Sequence, residues 1–412
     1  MIKKFPEGFL FGAATSSHQV EGGCVNDWSL WEKANAGRLS AESVRYSSLP
    51  SWGSIRENAL SPENYISGRA SDHFNRYEED FDLTGRIGLN AYRFSIEWSR
   101  VEPEEGLWDE EGLDHYRRVI KALRERGIEP FVTIWHWTLP LWLSRSGGIF
   151  RRDFPLLFAR FAAKVAHSLG SDVRYYIPIN EPEIYALNSC MLGIWPPQRK
   201  GVLSYMRAMR SLVKSHRLAC IAIKQVNPEA LTGTACNISY FEPGSFANRP
   251  LAWCADRFWN RRFISLTLKQ NDFIGINYYF HNRVHYGFNR NSGERVSDMG
   301  WELFPQGIEK VIMDMTRYGL PLFITESGLA DARDIQRPWY LEETLRSILR
   351  SIDKGADVRG YLHWSLLDNF EWDKGFWPHF GLIEIDRETM ERRMRSLSCE
   401  TYGRIIREGI DI

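Results

Sequence analysis

The feature that most constrains the fold is an alternation of short apolar runs with longer amphipathic segments along almost the whole chain. Eight runs have the length of strands and are rich in β-branched or aromatic residues. Several are apolar on both faces, as expected of strands that are covered on two sides. They span residues 9–15, 90–96, 130–137, 175–180, 231–238, 273–279, 321–325 and 358–365.

Helical patterns separate these runs, for example over residues 111–126, 153–168, 204–224 and 339–354. Eight strand–helix units predict a parallel sheet that closes into a (β/α)₈ barrel of the TIM type, in the α/β class. The alternative is a doubly wound open sheet. That fold is less favoured because no strand leads into a Gly-x-Gly-x-x-Gly turn or a P-loop.

The chain shows no linker, internal repeat or low-complexity tract, so we expect residues 1–412 to form a single domain. Residues 36–71, rich in Ser, Gly and Asn, are expected to form a long excursion after the first strand. No apolar run is long enough for a transmembrane helix, and no signal peptide is recognised. The six cysteines form no Cys-x-x-Cys pair, which favours reduced thiols and a cytoplasmic protein, with disulfides as the alternative.

Charge narrows the choice of partners. Lysine plus arginine and aspartate plus glutamate both total 52, so the net charge is zero. A neutral chain has no global field that would attract nucleic acid or an anionic membrane, and we expect neither as a partner. Tryptophan is abundant, at 16 residues, which indicates a use for flat apolar faces beyond core packing.

Two glutamates stand where the barrel would place its chemistry, at the carboxyl ends of strands. The fourth run ends in Asn180-Glu181-Pro182, and the seventh ends in Thr325-Glu326-Ser327. Strands four and seven lie on opposite sides of an eight-stranded ring, so the two carboxyl groups can face each other across its mouth. Facing carboxyl groups are what glycoside hydrolysis requires. The alternative is a pair of loop glutamates bound to nearby arginines.

Other strand ends supply groups that suit a sugar. The third run ends in Trp135-His136-Trp137, the eighth leads through Trp364 to Glu371-Trp372, Gln19 follows the first, and Arg93 lies on the second. Indole faces stack on sugar rings, while amide, imidazole and carboxylate groups bind hydroxyls. The predicted ligand is therefore a sugar rather than a phosphate or a dinucleotide.

These stretches resemble the family 1 glycoside hydrolases, the β-glucosidase/β-galactosidase family. Six motifs carry the resemblance in the expected order. They begin with Phe9-Leu10-Phe11-Gly12-Ala13-Ala14-Thr15-Ser16-Ser17-His18-Gln19-Val20-Glu21-Gly22 and Tyr92-Arg93-Phe94-Ser95-Ile96-Glu97-Trp98-Ser99-Arg100, and continue with Asn180-Glu181-Pro182, Gly275-Ile276-Asn277-Tyr278-Tyr279, Ile324-Thr325-Glu326-Ser327-Gly328 and Glu371-Trp372.

The resemblance implies roles for the matching residues. Glu181 corresponds to the general acid/base and Glu326 to the nucleophile, with Arg93 and Tyr279 holding Glu326 ionised. Asn180 corresponds to the ligand of the sugar 2-hydroxyl. The other implied sugar-binding residues are Gln19, His136, Trp364, Glu371 and Trp372, with Trp137 and Asn277 in support. The family reaction retains the anomeric configuration and implies no metal and no organic cofactor.

The implied substrate is a small β-glycoside or a short oligosaccharide, cleaved from its non-reducing end. Glu371 would repel a 6-phosphate, and retention of Glu181 indicates an ordinary O-glycoside. Glucose, galactose, fucose and mannose all stay open as the released sugar, as does a homo-oligomeric state. Residues 232–272 are compressed relative to the family, which leaves the preferred leaving group open. Two other classes remain: a non-catalytic sugar-binding barrel and a metal-dependent barrel hydrolase.

Four aromatic residues outside these motifs carry expectations of their own. His281 and His285 follow the sixth run and are expected to be surface histidines rather than metal ligands. Trp253 and Trp259 are expected to pack in the core, with a place at the cleft entrance as the alternative.

Overall fold

Eight parallel strands, β1 to β8, form a closed barrel in the computed structural model, which describes residues 2–412 except for the side chain of Phe288. Each strand pairs with its successor along the chain, and β8 closes the ring against β1, with Gly360 opposite Leu10 and Trp364 opposite Ala14. This confirms the predicted (β/α)₈ fold. The strands are Leu10–Ala14, Ala91–Ser95, Glu129–Trp135, Tyr175–Ile179, Leu231–Asn237, Phe273–Asn277, Leu322–Ser327 and Val358–Trp364.

A helix follows each strand and covers the outside of the barrel. The second helix is capped by Asp109, whose side chain accepts a hydrogen bond from the amide of Gly112. The seventh is followed by Gly355 in the left-handed region, with φ of 92°, which is typical of the residue after a helix. Helices α1 to α8 are His73–Ile87, Glu110–Glu125, Phe154–Leu169, Val202–Val226, Arg262–Thr267, Gly307–Met315, Arg337–Asp353 and Ser396–Glu408.

The interior of the barrel is filled by large side chains. Phe131, Tyr175 and Phe323 pack ring against ring, and the Phe131 and Tyr175 rings are stacked with centroids 4.3 Å apart. Phe273 and Leu362 belong to the same buried cluster. A second, larger cluster fills the space between the strands and the helices. Because the interior is packed, a ligand can enter only above this aromatic layer, at one end of the barrel.

The excursion after β1 is mostly helical, although its composition is that of a loop. It contains the helices Asp27–Glu42 and Trp52–Leu60 and the short 3₁₀ turns Ser43–Tyr46 and Pro62–Tyr65. The first of these helices starts with a capping box between Asn26 and Ser29. Ile55 and Ala59 pack on Trp377, together with Tyr46 and Met299. The excursion thereby forms part of the wall above the carboxyl ends of the strands.

Short elements complete the chain. The helices are Ser17–Val20, Trp98–Val101, Leu141–Arg145, Pro182–Tyr185 and Arg249–Asp256, and the π-helical turns are Ala186–Leu192 and Arg257–Arg261. Further 3₁₀ turns are Gly148–Phe150, Gly170–Asp172, Phe246–Asn248, Leu268–Gln270, Thr316–Tyr318 and Trp372–Lys374. Strand Ile2–Lys3 pairs with Ile410–Asp411, Ile383–Ile385 pairs with Arg392–Met394, and Tyr240–Pro243, His281–His285 and Phe288–Asn289 form a third small sheet.

Two side-chain expectations from the sequence are wrong. His281 is buried rather than exposed, because its two ring nitrogens lie 2.9 Å from a Glu242 oxygen and 2.6 Å from a Glu302 oxygen. Trp253 is 56% exposed and does not belong to the core. The six cysteines are free thiols, and four of them are buried. Across residues 2–412, no helix combines the length and the apolar character that spanning a membrane requires.

Candidate active site

The site is a cavity of about 270 Å³ at the carboxyl ends of the strands. Nine of the twelve predicted site residues line it: His136, Trp137, Asn180, Glu181, Tyr279, Glu326, Trp364, Glu371 and Trp372. Gln19, Arg93 and Asn277 do not line it; they are fully buried and hydrogen-bond to residues that do. The structure therefore brings all twelve together, with three of them supporting the walls from behind.

Glu326, in β7, is held from two directions. Arg93 Nη1 donates to Glu326 Oε1 at 2.5 Å, and the Tyr279 hydroxyl donates to Oε2 at 2.9 Å. The guanidinium is itself fully buried and also donates to Asn180 Oδ1 and Thr133 Oγ1. A cation and a hydroxyl donor on the two oxygens both favour the ionised carboxylate.

Glu181, just after β4, has only neutral donors. Asn277 Nδ2 lies 3.0 Å and Asn237 Nδ2 lies 3.1 Å from the same oxygen, Oε1. Glu181 itself has a φ of 38°, and Trp137 and Trp372 also have positive φ values. Such a conformation costs a non-glycine residue on the order of 1–3 kcal/mol, and residues of this kind concentrate at functional sites.

The two carboxyl groups differ in their affinity for a proton. Burial and the negative charge of Glu326 raise the pKa of Glu181 well above its ordinary value. Burial also raises the pKa of Glu326, but the Arg93 guanidinium and the Tyr279 hydroxyl oppose that rise. Burial and the neighbouring carboxylates raise the pKa of Tyr279 well above its ordinary value, so this residue stays a donor. A single proton shared by the pair therefore resides on Glu181.

His136 is fixed in one neutral form. Its Nε2 atom lies 3.0 Å from the Asn180 amide nitrogen, which can only donate, so Nε2 accepts and the ring proton is on Nδ1. Burial and the nearby Arg93 lower the pKa of His136 well below its ordinary value. No described residue bonds to the buried Nδ1 atom. The ring therefore has one N–H donor that no described residue uses.

Glu371 and two indoles shape another part of the wall. Gln19 Nε2 lies 3.3 Å from Glu371 Oε2, and burial raises the pKa of Glu371 to about 8. The His136 ring lies nearly parallel to both Trp364 and Trp372, with centroids 6.0 and 5.9 Å apart. These groups combine apolar faces with hydroxyl-binding groups, which is the chemistry that a sugar ring requires.

Sequence reasoning missed several residues of the cavity. Asn237 ends β5 and donates to Glu181. The sequence could have indicated this residue, because it is a polar residue at the end of an apolar run. Trp259, expected from the sequence in the core or at the cleft entrance, is half-buried behind Asn237, with Nε1 3.3 Å from Asn237 Oδ1. Asp373 accepts from Trp195 Nε1 at 3.0 Å and from Lys374 Nζ at 2.6 Å. Trp195, Asp373 and Lys374 all line the cavity, but nothing in the sequence pattern assigns them to it.

One group of potential metal ligands lies outside the cavity, where the sequence spacing indicates none. Ligand atoms of His18, Cys24 and Glu97 lie within 4.8 Å of one another. The Glu97 carboxylate already accepts hydrogen bonds from Ser99 and Thr138, and His18 is bonded to Glu32. The side chains of Glu97 and His18 therefore have hydrogen-bond partners within the protein and need no metal ion to satisfy them.

A barrel whose mouth holds two buried carboxyl groups in unequal environments, between indole walls, is the architecture of a glycosidase. The comparisons agree. The family model "Glycosyl hydrolase family 1" matches residues 1–267 and 261–409. The chain belongs to glycosyl hydrolase family 1 and is a β-glycosidase.

Individual relatives cover nearly the whole chain. Beta-glucosidase A of Thermotoga maritima is 32% identical, over 99% of each chain. A beta-galactosidase of Sulfolobus acidocaldarius is 30% identical, over 98% of this chain and 95% of its own. The solved structure of a beta-glycosidase from Pyrococcus horikoshii superposes with a TM-score of 0.87 at 35% identity, covering 100% of this chain and 97% of that one.

Proposed function

We propose that the protein removes single sugars, with glucose as the favoured one, from the non-reducing ends of unphosphorylated O-linked β-glycosides. The observation that carries this proposal is the inequality of the two carboxyl groups. Glu326 is bonded to a guanidinium and a phenol, whereas Glu181 has two amide donors only. Galactose, fucose and mannose are alternative sugars for the same site, and the relatives include both a beta-glucosidase and a beta-galactosidase.

In the first step, a Glu326 oxygen attacks the anomeric carbon while Glu181 gives its proton to the glycosidic oxygen. The bond to the leaving alcohol breaks, and the sugar is left as an ester of Glu326. In the second step, Glu181 takes a proton from water, the water oxygen displaces Glu326, and the sugar leaves with its original configuration. The raised pKa of Glu181 supports its role as the acid.

Sugar binding is assigned to the groups around this pair. Asn180 is the ligand of the 2-hydroxyl, and His136 binds a neighbouring hydroxyl. Gln19, Glu371 and Trp372 hold the outer hydroxyls, and Trp364 lies under the ring. Trp137 supports Asn180 by donating from Nε1 to its carbonyl at 2.9 Å. Asn277 supports the acid by donating a hydrogen bond from Nδ2 to Glu181 Oε1.

Two features support an unphosphorylated substrate. Glu371 lines the cavity and would repel a phosphate when ionised. Lys374 also lines the cavity, but its ammonium group is bonded to Asp373 at 2.6 Å, so the pair has no net charge to offer an anion.

The rest of the lining includes apolar side chains above the barrel, among them Ile184, Met299 and Trp301. These favour an apolar leaving group over a charged one.

The remaining expectations are also proposals. We propose that residues 1–412 act as one domain without a metal or an organic cofactor, and that the protein works in the cytoplasm. The six free thiols support a reducing compartment. We propose that the protein acts without a nucleic-acid or membrane partner.

The test uses both carboxyl groups and nitrophenyl β-glycosides. Glu326→Ala should abolish turnover, and added azide should restore part of it with an α-glycosyl azide as product. Glu181→Ala should slow release of poor leaving groups far more than good ones, and azide should give the β-glycosyl azide. Full activity in either variant, or the same azide anomer from both, would contradict the assignment. A panel of glucoside, galactoside, fucoside and mannoside then identifies the preferred sugar.

A further inference from the structure

Glu183 is a buried carboxyl group that the mechanism above does not use. It lies on the short helix Pro182–Tyr185, two residues after Glu181, and it is 2% exposed. Neither of its side-chain oxygens has a well-formed hydrogen bond to any described residue. A buried carboxylate without partners costs several kcal/mol, so such a group is rarely kept without a use.

The surroundings of Glu183 connect it to the acid. The donors that approach it are its own main-chain amide, the Cys236 thiol and the main-chain amide of Asn237. The side chain of the same Asn237 donates to Glu181 at 3.1 Å. Glu183 therefore lies against the end of β5 that holds Glu181 in place, and it does so outside the cavity, where a substrate does not touch it.

Three titratable groups interact with Glu183: Glu181 lies just before the helix, Cys236 is on β5, and Tyr205 is on α4. Among the described residues, no cationic side chain forms an ion pair with Glu183. Its charge, once formed, is not neutralised locally and acts on Glu181.

We propose that Glu183 is a positioning residue for the acid: its negative charge behind Glu181 keeps the proton on Glu181 as the solution becomes alkaline. This inference rests on the proposed role of Glu181. It assigns to Glu183 no contact with the substrate and no part in bond breaking.

The titration behaviour of the two groups supports the direction of the effect. Burial raises the pKa of Glu183 to about 7. Below that pH the group is neutral and has no effect on Glu181. Above it, the charge of Glu183 adds to that of Glu326 in raising the pKa of Glu181. Glu181 therefore keeps its proton in the pH range where it would otherwise lose it.

The experiment measures kcat/KM against pH, from pH 4 to 10, for the wild type and Glu183→Gln on a nitrophenyl β-glucoside. We expect the alkaline limb of the variant to move to lower pH by about half a unit or more, the effect of removing one nearby like charge. The acidic limb, set by Glu326, should not move. Glu183→Leu should show the same shift, since it also lacks the charge. A limb that stays in place, with activity lowered equally at every pH, would overturn the inference.

A matched control and a second measurement make the result specific. Glu102→Gln removes another buried carboxyl group, one bonded to Trp98, Gly106 and Arg160 away from the cavity, and should leave both limbs in place. The Tm of Glu183→Gln minus that of the wild type should grow between pH 5 and 8, because only the wild type must ionise a buried group. A Tm difference that stays constant between pH 5 and 8 would contradict the ionisation of Glu183 in this range. Inactivity of the wild type on every glycoside would instead refute the proposed function.

Discussion

Glu181 and Glu326 are identical side chains whose neighbours give them opposite ionic preferences. The difference comes from one cation and one phenol on Glu326, against two amides on Glu181. Each amide donor on Glu181 stabilises its ionised form and so opposes the effect of burial. At the scale of single residues, the pKa of the acid is therefore a balance among Glu326, Glu183, Asn237 and Asn277.

Asn237→Ala tests that balance by removing a group that lowers the pKa of Glu181. The variant removes a donor to Glu181, so the pKa of Glu181 should rise and the alkaline limb of kcat/KM should move to higher pH. This is opposite in sign to the shift expected for Glu183→Gln. The value of kcat should also fall, by roughly tenfold for the loss of one hydrogen bond worth about 1.4 kcal/mol. A limb that moves to lower pH would contradict the account.

The sequence predicts this site well where polar residues end apolar runs, as at Asn180, Glu181 and Glu326. It does not predict contacts that depend on how distant strands meet. The bond from Asn237 to Glu181 and the ion pair of Asp373 with Lys374 join the cavity only through folding. The absence of described hydrogen-bond partners for Glu183 is likewise a property of packing, which no local pattern encodes.

At the scale of elements, the ends of β7 and β8 set the geometry of the wall. Gly328, just after β7, approaches the carbonyl oxygen of Trp364 so closely that a Cβ atom there would overlap it. The absence of a side chain lets the segment that carries Glu326 lie directly against the strand that carries Trp364. The spacing between nucleophile and indole platform therefore depends on this glycine.

Gly328→Ala should separate these two strand ends. We expect a loss of stability of about 1–3 kcal/mol, as for other overpacked sites, and a fall in kcat/KM larger than the stability loss alone would cause. Thermal unfolding and steady-state kinetics measure the two effects. Gly53→Ala is the control, because this helical glycine has open space around its Cβ position and the change should be neutral or stabilising. Wild-type kinetics in Gly328→Ala would argue against a role for the close approach.

The local sequence predicts the barrel strands better than it predicts the helices of the excursion after β1. Every barrel strand lies where the apolar runs predict it, with ends shifted by one or two residues, because a buried parallel strand has a strong local signature. The helices of the excursion after β1 have no such signature in a segment rich in Ser and Gly. Their stability comes from packing against residues such as Trp377, far away in sequence.

At the scale of the whole molecule, several buried carboxyl groups bind protons more tightly in the folded chain than in the unfolded one. Burial raises the pKa of both Asp27 and Glu183 to about 7. The stability contributed by such groups is fully present below their unfolded pKa of about 4 and is lost as the pH rises through the folded value. Asp80 and Asp368, with lowered pKa values, act in the opposite direction below pH 4.

The free energy of unfolding should therefore be greatest in mildly acidic solution and should fall between pH 5 and pH 8. Asp27 and Glu183 each contribute a few kcal/mol to that fall, at roughly 1.4 kcal/mol per pKa unit. Calorimetry at pH 5, 6.5 and 8 measures it, and unfolding at pH 7 should release protons to the buffer. A Tm that rises steadily from pH 5 to pH 8 would contradict this account.

The central claim is that Glu326 forms a covalent bond to the sugar. The most direct measurement uses a 2-deoxy-2-fluoro-β-glucoside with a good leaving group, which forms the glycosyl-enzyme quickly and hydrolyses slowly. Mass spectrometry of the intact protein should show one fluoroglycosyl group per chain, and peptide analysis should place it on Glu326. An adduct on another residue, or rapid turnover with no adduct at any time, would contradict the account.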